Sequence, residues 1–147
     1  KGDTLTCGEL EFMVISPDKN TFYKDENDAS LVLYLQYEEF TGLFMGDAGF
    51  VAEQAVSEAG IKDISLLKVA HHGSAIEANS FEFIEGTSPR LAVISCGINN
   101  SYGHPHKETV NRLADRGVMM FNTPESGAIS VEIKSNGQII LIENKNG

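Results

Sequence analysis

The four histidines of this sequence are gathered in two places, His71-His72-Gly73-Ser74 and Tyr102-Gly103-His104-Pro105-His106, downstream of Met45-Gly46-Asp47-Ala48-Gly49. Imidazoles and a carboxylate flanked by small residues are the donors that hold Zn²⁺ or Mn²⁺, and together they read as ligands of a dinuclear site. Asp47 has two readings: the N-cap of a helix that starts a few residues later, or an anionic oxygen bridging two cations, with Gly46, Ala48 and Gly49 leaving room for metals and substrate. Adjacent histidines leaving a strand point in different directions. One of His71 and His72 therefore serves as ligand while the other holds substrate or shuttles a proton. Gly73 permits the sharp exit, and Ser74 could cap or bond a phosphate-like oxygen.

The loop Ser95–Pro105 is the most specific piece. With Pro105 at the first helical position, His104 falls at the N-cap, where Ser, Thr, Asp or Asn would stabilise better, so His104 stands there for another reason. Asn100 and Tyr102 could orient an anionic substrate. His106, in the first helical turn, reads as a solvated side chain. Competing chemistries lack their motifs: there is no Gly-x-Ser-x-Gly elbow and no Gly-rich nucleotide loop. Cys96 as a nucleophile beside His104 is conceivable, but an apolar strand favours an inert thiol.

The elements that position these residues follow from local pattern. Thr4–Cys7 and Leu10–Ser16 read as strands parted by Gly8-Glu9, and Pro17–Asp28 as a loop. Leu31–Leu35 reads as a buried strand, with Glu38–Gly42 turning into a hairpin partner at Leu43–Met45. Helical spacing over Gly49–Ala59 stops at Gly60. Ile64–Ala70 is a short strand, Asn79-Ser80-Phe81-Glu82 resembles a capping box with Asn79 as cap, and that helix ends near Gly86. Leu91–Cys96 is a strand, Pro105–Arg116 a helix closed by Gly117, and Val118–Phe121, Ala128–Lys134 and Gln138–Glu143 are strands. The last two join through Ser135-Asn136-Gly137. This is a β-meander, three βα units and a hairpin: one mixed α/β sheet with helices on at least one face. Asp47, His71 and His104 each follow a strand, at the sheet rim where ligands collect.

The 147 residues are one domain's worth. With 41% apolar and 22% charged residues, disorder is excluded as the general state. No apolar run nears the roughly 18–20 residues of a membrane span, and no signal-peptide pattern opens the sequence. A net charge of −10 and a pI near 4.7 exclude a basic nucleic-acid-binding surface. Any polyanionic substrate must be drawn in by bound cations or another domain. Cys7 and Cys96 make no disulfide framework and read as free buried thiols. The first residue is Lys1 and not Met, which suggests a piece of a longer protein.

Leu43–Gly49, Leu67-Lys68-Val69-Ala70-His71-His72-Gly73-Ser74 and Ile94–Gly97 through Asn100-Ser101-Tyr102-Gly103-His104-Pro105 together resemble the C-terminal half of a metallo-β-lactamase-fold domain. The variety is the one appended to the bacterial competence protein family ComEC, a DNA-uptake channel. Thr123–Ile129 resembles that group's ending, so the likeness covers nearly all 147 residues. It implies an α/β fold: one partial domain over residues 1–147, half of an αβ/βα sandwich with helices packed on one face of a mixed sheet. It also implies Asp47, His71 and His104 as metal ligands, His72, Asn100 and Tyr102 as catalytic-site residues, and two divalent cations, Zn²⁺ or Mn²⁺, in the full domain. The implied activity is metal-dependent phosphodiester hydrolysis of DNA during uptake, in a soluble extracytoplasmic domain of a membrane protein of the bacterial cell envelope.

The family's His-x-Asp-x-Asp-His motif is absent, and Asp25-Glu26-Asn27-Asp28, lacking histidine, is no substitute. The expectation is therefore a fragment that binds metal weakly, catalyses little alone, pairs with a missing N-terminal half and the channel portion of its parent, and self-associates through an exposed apolar sheet face. Two other readings stay open: a soluble hydrolase of a small phosphodiester or ester, and a non-catalytic binding module.

Overall fold

Short aliphatic and aromatic runs separated by Gly, Pro and acidic turns divide the chain into strands too short to fold alone. In the computed structural model, which describes residues 1–135 and 137–145, seven of them form one mixed sheet in chain order. β1 (Thr4–Cys7), β2 (Leu10–Ser16), β3 (Val32–Tyr37) and β4 (Phe40–Phe44) pair antiparallel. β4, β5 (Leu66–Lys68), β6 (Leu91–Ile94) and β7 (Met119–Asn122) pair parallel, connected through α1 (Phe50–Glu58), α2 (Phe81–Thr87) and α3 (Lys107–Asp115). A single turn, α4 (Thr123–Ser126), leads into β8 (Ala128–Ile133) and β9 (Ile139–Asn144), an antiparallel pair forming its own sheet. Meander, three βα units and hairpin is the order the sequence predicts. The turn of that hairpin was expected at Ser135-Asn136-Gly137, and Asn136 lies outside the described residues.

Alternation along the strands splits the core in two. On one face Leu43, Leu67, Ala92 and Ile94 meet Ala52 and Val56 of α1, Phe83 and Ile84 of α2 and Leu113 of α3. On the other, Leu35, Phe40, Leu66 and Leu91 meet Val131, Ile133, Ile139 and Leu141 of the hairpin. Burial on both faces is why the central strands read as unbroken apolar runs. Each fully buried Leu or Ile, such as Leu67 or Leu113, contributes about 1.5–3 kcal/mol.

Three expectations need correction. The second sheet face is not bare: the chain's own amphipathic hairpin lies on it, leaving Phe12, Phe44, Val93 and Phe121 half-buried. Cys7 is not buried, because the edge strand β1 is exposed along its whole length; Cys96 is half-buried. The apolar stretch Ile64–Ala70 gives only three strand residues, because Ala70–Gly73 curls into a tight 3₁₀ turn. Among the described residues no helix is long and apolar enough to cross a membrane.

Candidate functional site

Three parallel strands deliver the candidate residues to one sheet rim. Beyond β4, Gly46 turns with φ +58° and Asp47 follows. Asp47 caps nothing: the N-cap of α1 is Gly49, without a side-chain bond, so the helix-cap reading of this carboxylate fails. Beyond β5 comes the histidine pair, and the His71 amide donates to the Gly46 carbonyl at 2.9 Å, tying the two turns together. Beyond β6 runs the loop that carries Asn100, Tyr102 and His104.

The histidine turn is strained. His71 (φ 45°, ψ 49°) and His72 (φ 55°, ψ 21°) both occupy the left-handed region, at a cost of about 1–2 kcal/mol for each. An extended backbone would send the two rings apart. The left-handed turn brings them to one side, with centroids 6.3 Å apart. Gly73 follows at φ +85°, where a Cβ would stand 2.7 Å from that of Pro105.

A buried latch holds this turn from behind. Asn79, fully buried, donates to the carbonyls of Ala70 (3.0 Å) and Ser74 (2.7 Å) and accepts from the Ala70 amide (3.2 Å). The Thr109 hydroxyl adds a bond to the Ser74 carbonyl at 3.1 Å. Asn79 is therefore not the cap of α2. Ser80 is, its hydroxyl accepting from the Phe83 amide, while the Asn79 amide side chain is committed to the histidine turn. Sequence reading missed this role, since Asn-Ser offers two adjacent cap candidates and the partners of Asn79 lie five and nine residues away.

Hydrogen bonds assign opposite tautomers to two of the imidazoles. His72 Nδ1 lies 2.6 Å from the Ser95 carbonyl and so carries the proton, while Nε2 points its lone pair toward Asp47, 3.5 Å from Oδ1. A ligand imidazole whose other nitrogen donates to a backbone carbonyl has this arrangement. His106 is the reverse: Nδ1 accepts from the Ala75 amide at 3.0 Å and Nε2 donates to the Tyr102 carbonyl at 3.2 Å.

His106 is thus no idle solvated side chain. It is also the N-cap of α3, in place of His104, because its extended backbone (φ −67°, ψ 142°) and its amide bond to Gly73 postpone the helix to Lys107. The expectation of Pro105 at the first helical position fails for the same reason. Asn100 donates to the Gly97 and His104 carbonyls and accepts from the His104 amide. Both of its N–H groups are used within the loop, where it positions His104.

The His104 ring centroid lies 5.7 Å from that of His71, 6.2 Å from that of His72 and 5.7 Å from that of Tyr102. Burial, then the neighbouring imidazoles of His106, His71 and His72, hold His104 below the usual histidine range, against the opposing pull of Asp47. Clefts of about 330 Å³ and 320 Å³ flank this ring. Asp25, Asp28 and Glu77 stand in the first beside Asp47 and His71. The acidic run dismissed as no substitute for a ligand motif thus reaches the same cleft. Its loop precedes β3, which runs antiparallel to β4 and starts at the rim where β4 ends.

One carboxylate and three imidazoles suit a borderline divalent cation. Among the described residues, no three such groups stand close enough together to enclose one ion. The donor chemistry fits a metal, while these donors do not by themselves close around one.

No family model matches the chain. Its sequence is similar to "ComE operon protein 3" of Bacillus subtilis, with 34% identity over 137 residues, 92% of this chain and 17% of that protein. It is also similar to "Recombination protein 2" of Haemophilus influenzae, 30% identical over 122 residues, 83% of this chain and 15% of that one. The chain therefore spans less than a fifth of the length of these curated relatives. Among solved structures, the CmlA beta-hydroxylase E377D mutant superposes on 82% of this chain and 31% of its own, with a TM-score of 0.52 and 13% identity. That likeness bears on fold alone: the chain is a mixed α/β structure whose solved neighbour has the metallo-β-lactamase fold.

Proposed function

We propose that this chain is part of a metal-dependent phosphodiesterase that hydrolyses DNA in a bacterial DNA-uptake system. The observation that carries the reading is the convergence of Asp47, His71, His72 and His104 on one rim, with two of them held in left-handed backbone. Strain of that kind persists where the surrounding structure enforces it, and it clusters at functional sites. The names and extent of the relatives support the uptake context, and their greater length supports a site completed by donors outside these 147 residues.

In this reading Asp47 and the imidazoles of His71 and His104 hold divalent cations, Zn²⁺ or Mn²⁺, and His72, expected from sequence to serve catalysis, joins them as a ligand because its Nε2 faces Asp47. Bound there, such ions neutralise phosphodiester charge and act as Lewis acids. The chain's own residues do the positioning. Ser95 keeps the proton on His72 Nδ1, so that Nε2 faces Asp47. Asn79 fixes the turn, and Asn100 fixes His104. Tyr102, exposed at the mouth, meets the substrate. The domain belongs on the extracytoplasmic side of the envelope, beside the channel portion of its parent.

The test is cleavage of a DNA oligonucleotide by the full-length protein in Mn²⁺ and in Zn²⁺. Activity should fall at least about 100-fold in Asp47→Ala, as for loss of a principal electrostatic group. Undiminished activity in that variant would remove the metal mechanism. No cleavage by the wild type in either ion would leave the binding-module reading.

A further inference from the structure

We infer that Tyr102 is the platform on which a nucleobase of the substrate stacks, so that the site holds a polyanion by an aromatic contact and cations in place of lysine and arginine. This rests on the phosphodiesterase reading above and names how that site takes its substrate.

The first ground is exposure. Tyr102 is 77% accessible although it lines both clefts. One face of its ring lies against His104, nearly parallel at 21°, and His104 lies nearly parallel to His72 at 23°. The three rings form a short stack whose outer end is open to solvent. A free aromatic face left in water is unfavourable, and every nucleobase offers a matching surface.

The second ground is preorganisation. The Tyr102 carbonyl is held by His106 Nε2, and the loop on either side is stapled by three bonds of Asn100. A ring carried on a pinned backbone loses little entropy when it binds.

The third ground is charge. Tyr102 lines both clefts, and neither has a lysine or arginine in its wall, whereas Asp25, Asp28, Asp47 and Glu77 line one of them. Among the described residues, the cleft walls therefore offer no basic side chain for phosphate contacts, the usual source of nucleic-acid affinity and of its salt dependence; Lys68 interacts with Asp47 from outside them. Stacking requires an unpaired base, so the occupant is a single strand or a frayed end.

The test is binding of a nuclease-resistant phosphorothioate single strand to the full-length protein in Mn²⁺ or Zn²⁺, followed by anisotropy. Tyr102→Ala should bind about 5- to 150-fold more weakly, the range for loss of one stacked base. Tyr102→Phe and Tyr102→Trp should stay within about twofold of wild type. The loss in Tyr102→Ala should vanish on a strand of abasic residues with the same charge. Raising salt should weaken wild-type binding with a log–log slope no steeper than about −1.4, corresponding to roughly two phosphate contacts.

The inference is overturned if Tyr102→Ala binds as tightly as wild type, if Tyr102→Phe loses as much as Tyr102→Ala, or if the loss persists on the abasic strand. It is equally overturned if the wild type binds no strand. The expected pattern in a protein that cleaves nothing would uphold the stacking role and refute the phosphodiesterase reading.

Discussion

His72 faces Asp47 with Nε2 3.5 Å from Oδ1, and it does so because its other nitrogen is held 2.6 Å from the Ser95 carbonyl. His106, on the other side of His104, takes the opposite proton arrangement through Ala75 and Tyr102. Long-range ¹H–¹⁵N correlation on the metal-free protein should therefore place the proton on Nδ1 of His72 and on Nε2 of His106. Metal addition should perturb Nε2 of His72, and His72→Ala should weaken divalent-ion binding about 10-fold or more in calorimetry. The same tautomer on both rings would contradict the geometry.

The Asn79 latch predicts a stability effect far larger than a surface asparagine would give. Asn79→Ala removes three buried hydrogen bonds, taking the side-chain partner from the Ala70 amide and carbonyl and leaving the Ser74 carbonyl with Thr109 alone, and puts Ala at φ +56°. A cost of about 3 kcal/mol or more is expected from urea unfolding, since each orphaned buried group costs about 1–3 kcal/mol. A change below about 1 kcal/mol would mean that the turn is held by other contacts.

Gly73→Ala tests the close approach of the histidine turn to the loop bearing His104. The added methyl meets Pro105 at 2.7 Å and Ile94 at 3.2 Å, at a φ of +85° that alanine avoids. Overpacking and backbone strain together should cost about 2 kcal/mol or more. The melting temperature should fall, and divalent-ion affinity with it, because the separation of His71, His72 and His104 is set there.

Glu53 gives a pH signature separate from the site. Its carboxylate is buried between α1 and α2, and burial pushes its pKa above the ordinary 4.5, against the opposing bonds from Ser80. Above about pH 4.5 the unfolded chain releases this proton while the folded chain keeps it. Stability contributed by the protonated group is therefore present below 4.5 and is lost as pH rises through the folded value. Glu53→Gln should flatten that decline in melting temperature over the same window. An unchanged slope would show that Glu53 is not the group responsible.

The order of elements and the gathering of Asp47 and the histidines at strand ends were legible from residue order alone. Apolar runs, helical spacing and Gly stops are local signals, and a parallel βα chain carries the ends of successive strands to one rim. The choice of cap between Asn79 and Ser80, or between His104 and His106, was not legible. In each pair both residues are adjacent to the helix or nearly so, and the decision falls to partners elsewhere: Ala70 and Ser74 for Asn79, Gly73 and Ala75 for His106. The left-handed backbone that turns both rings of His71-His72 to one side has only Gly73 as a local trace. Asp28 and Glu77 enter the cleft through loop packing, and the hairpin covers the second sheet face through side chains far along the chain from Leu35 and Phe40. Periodicity encodes which residues are buried and in what order. Which buried or polar group meets which partner is settled only when the whole sheet closes, because that is when each donor and acceptor must find its mate.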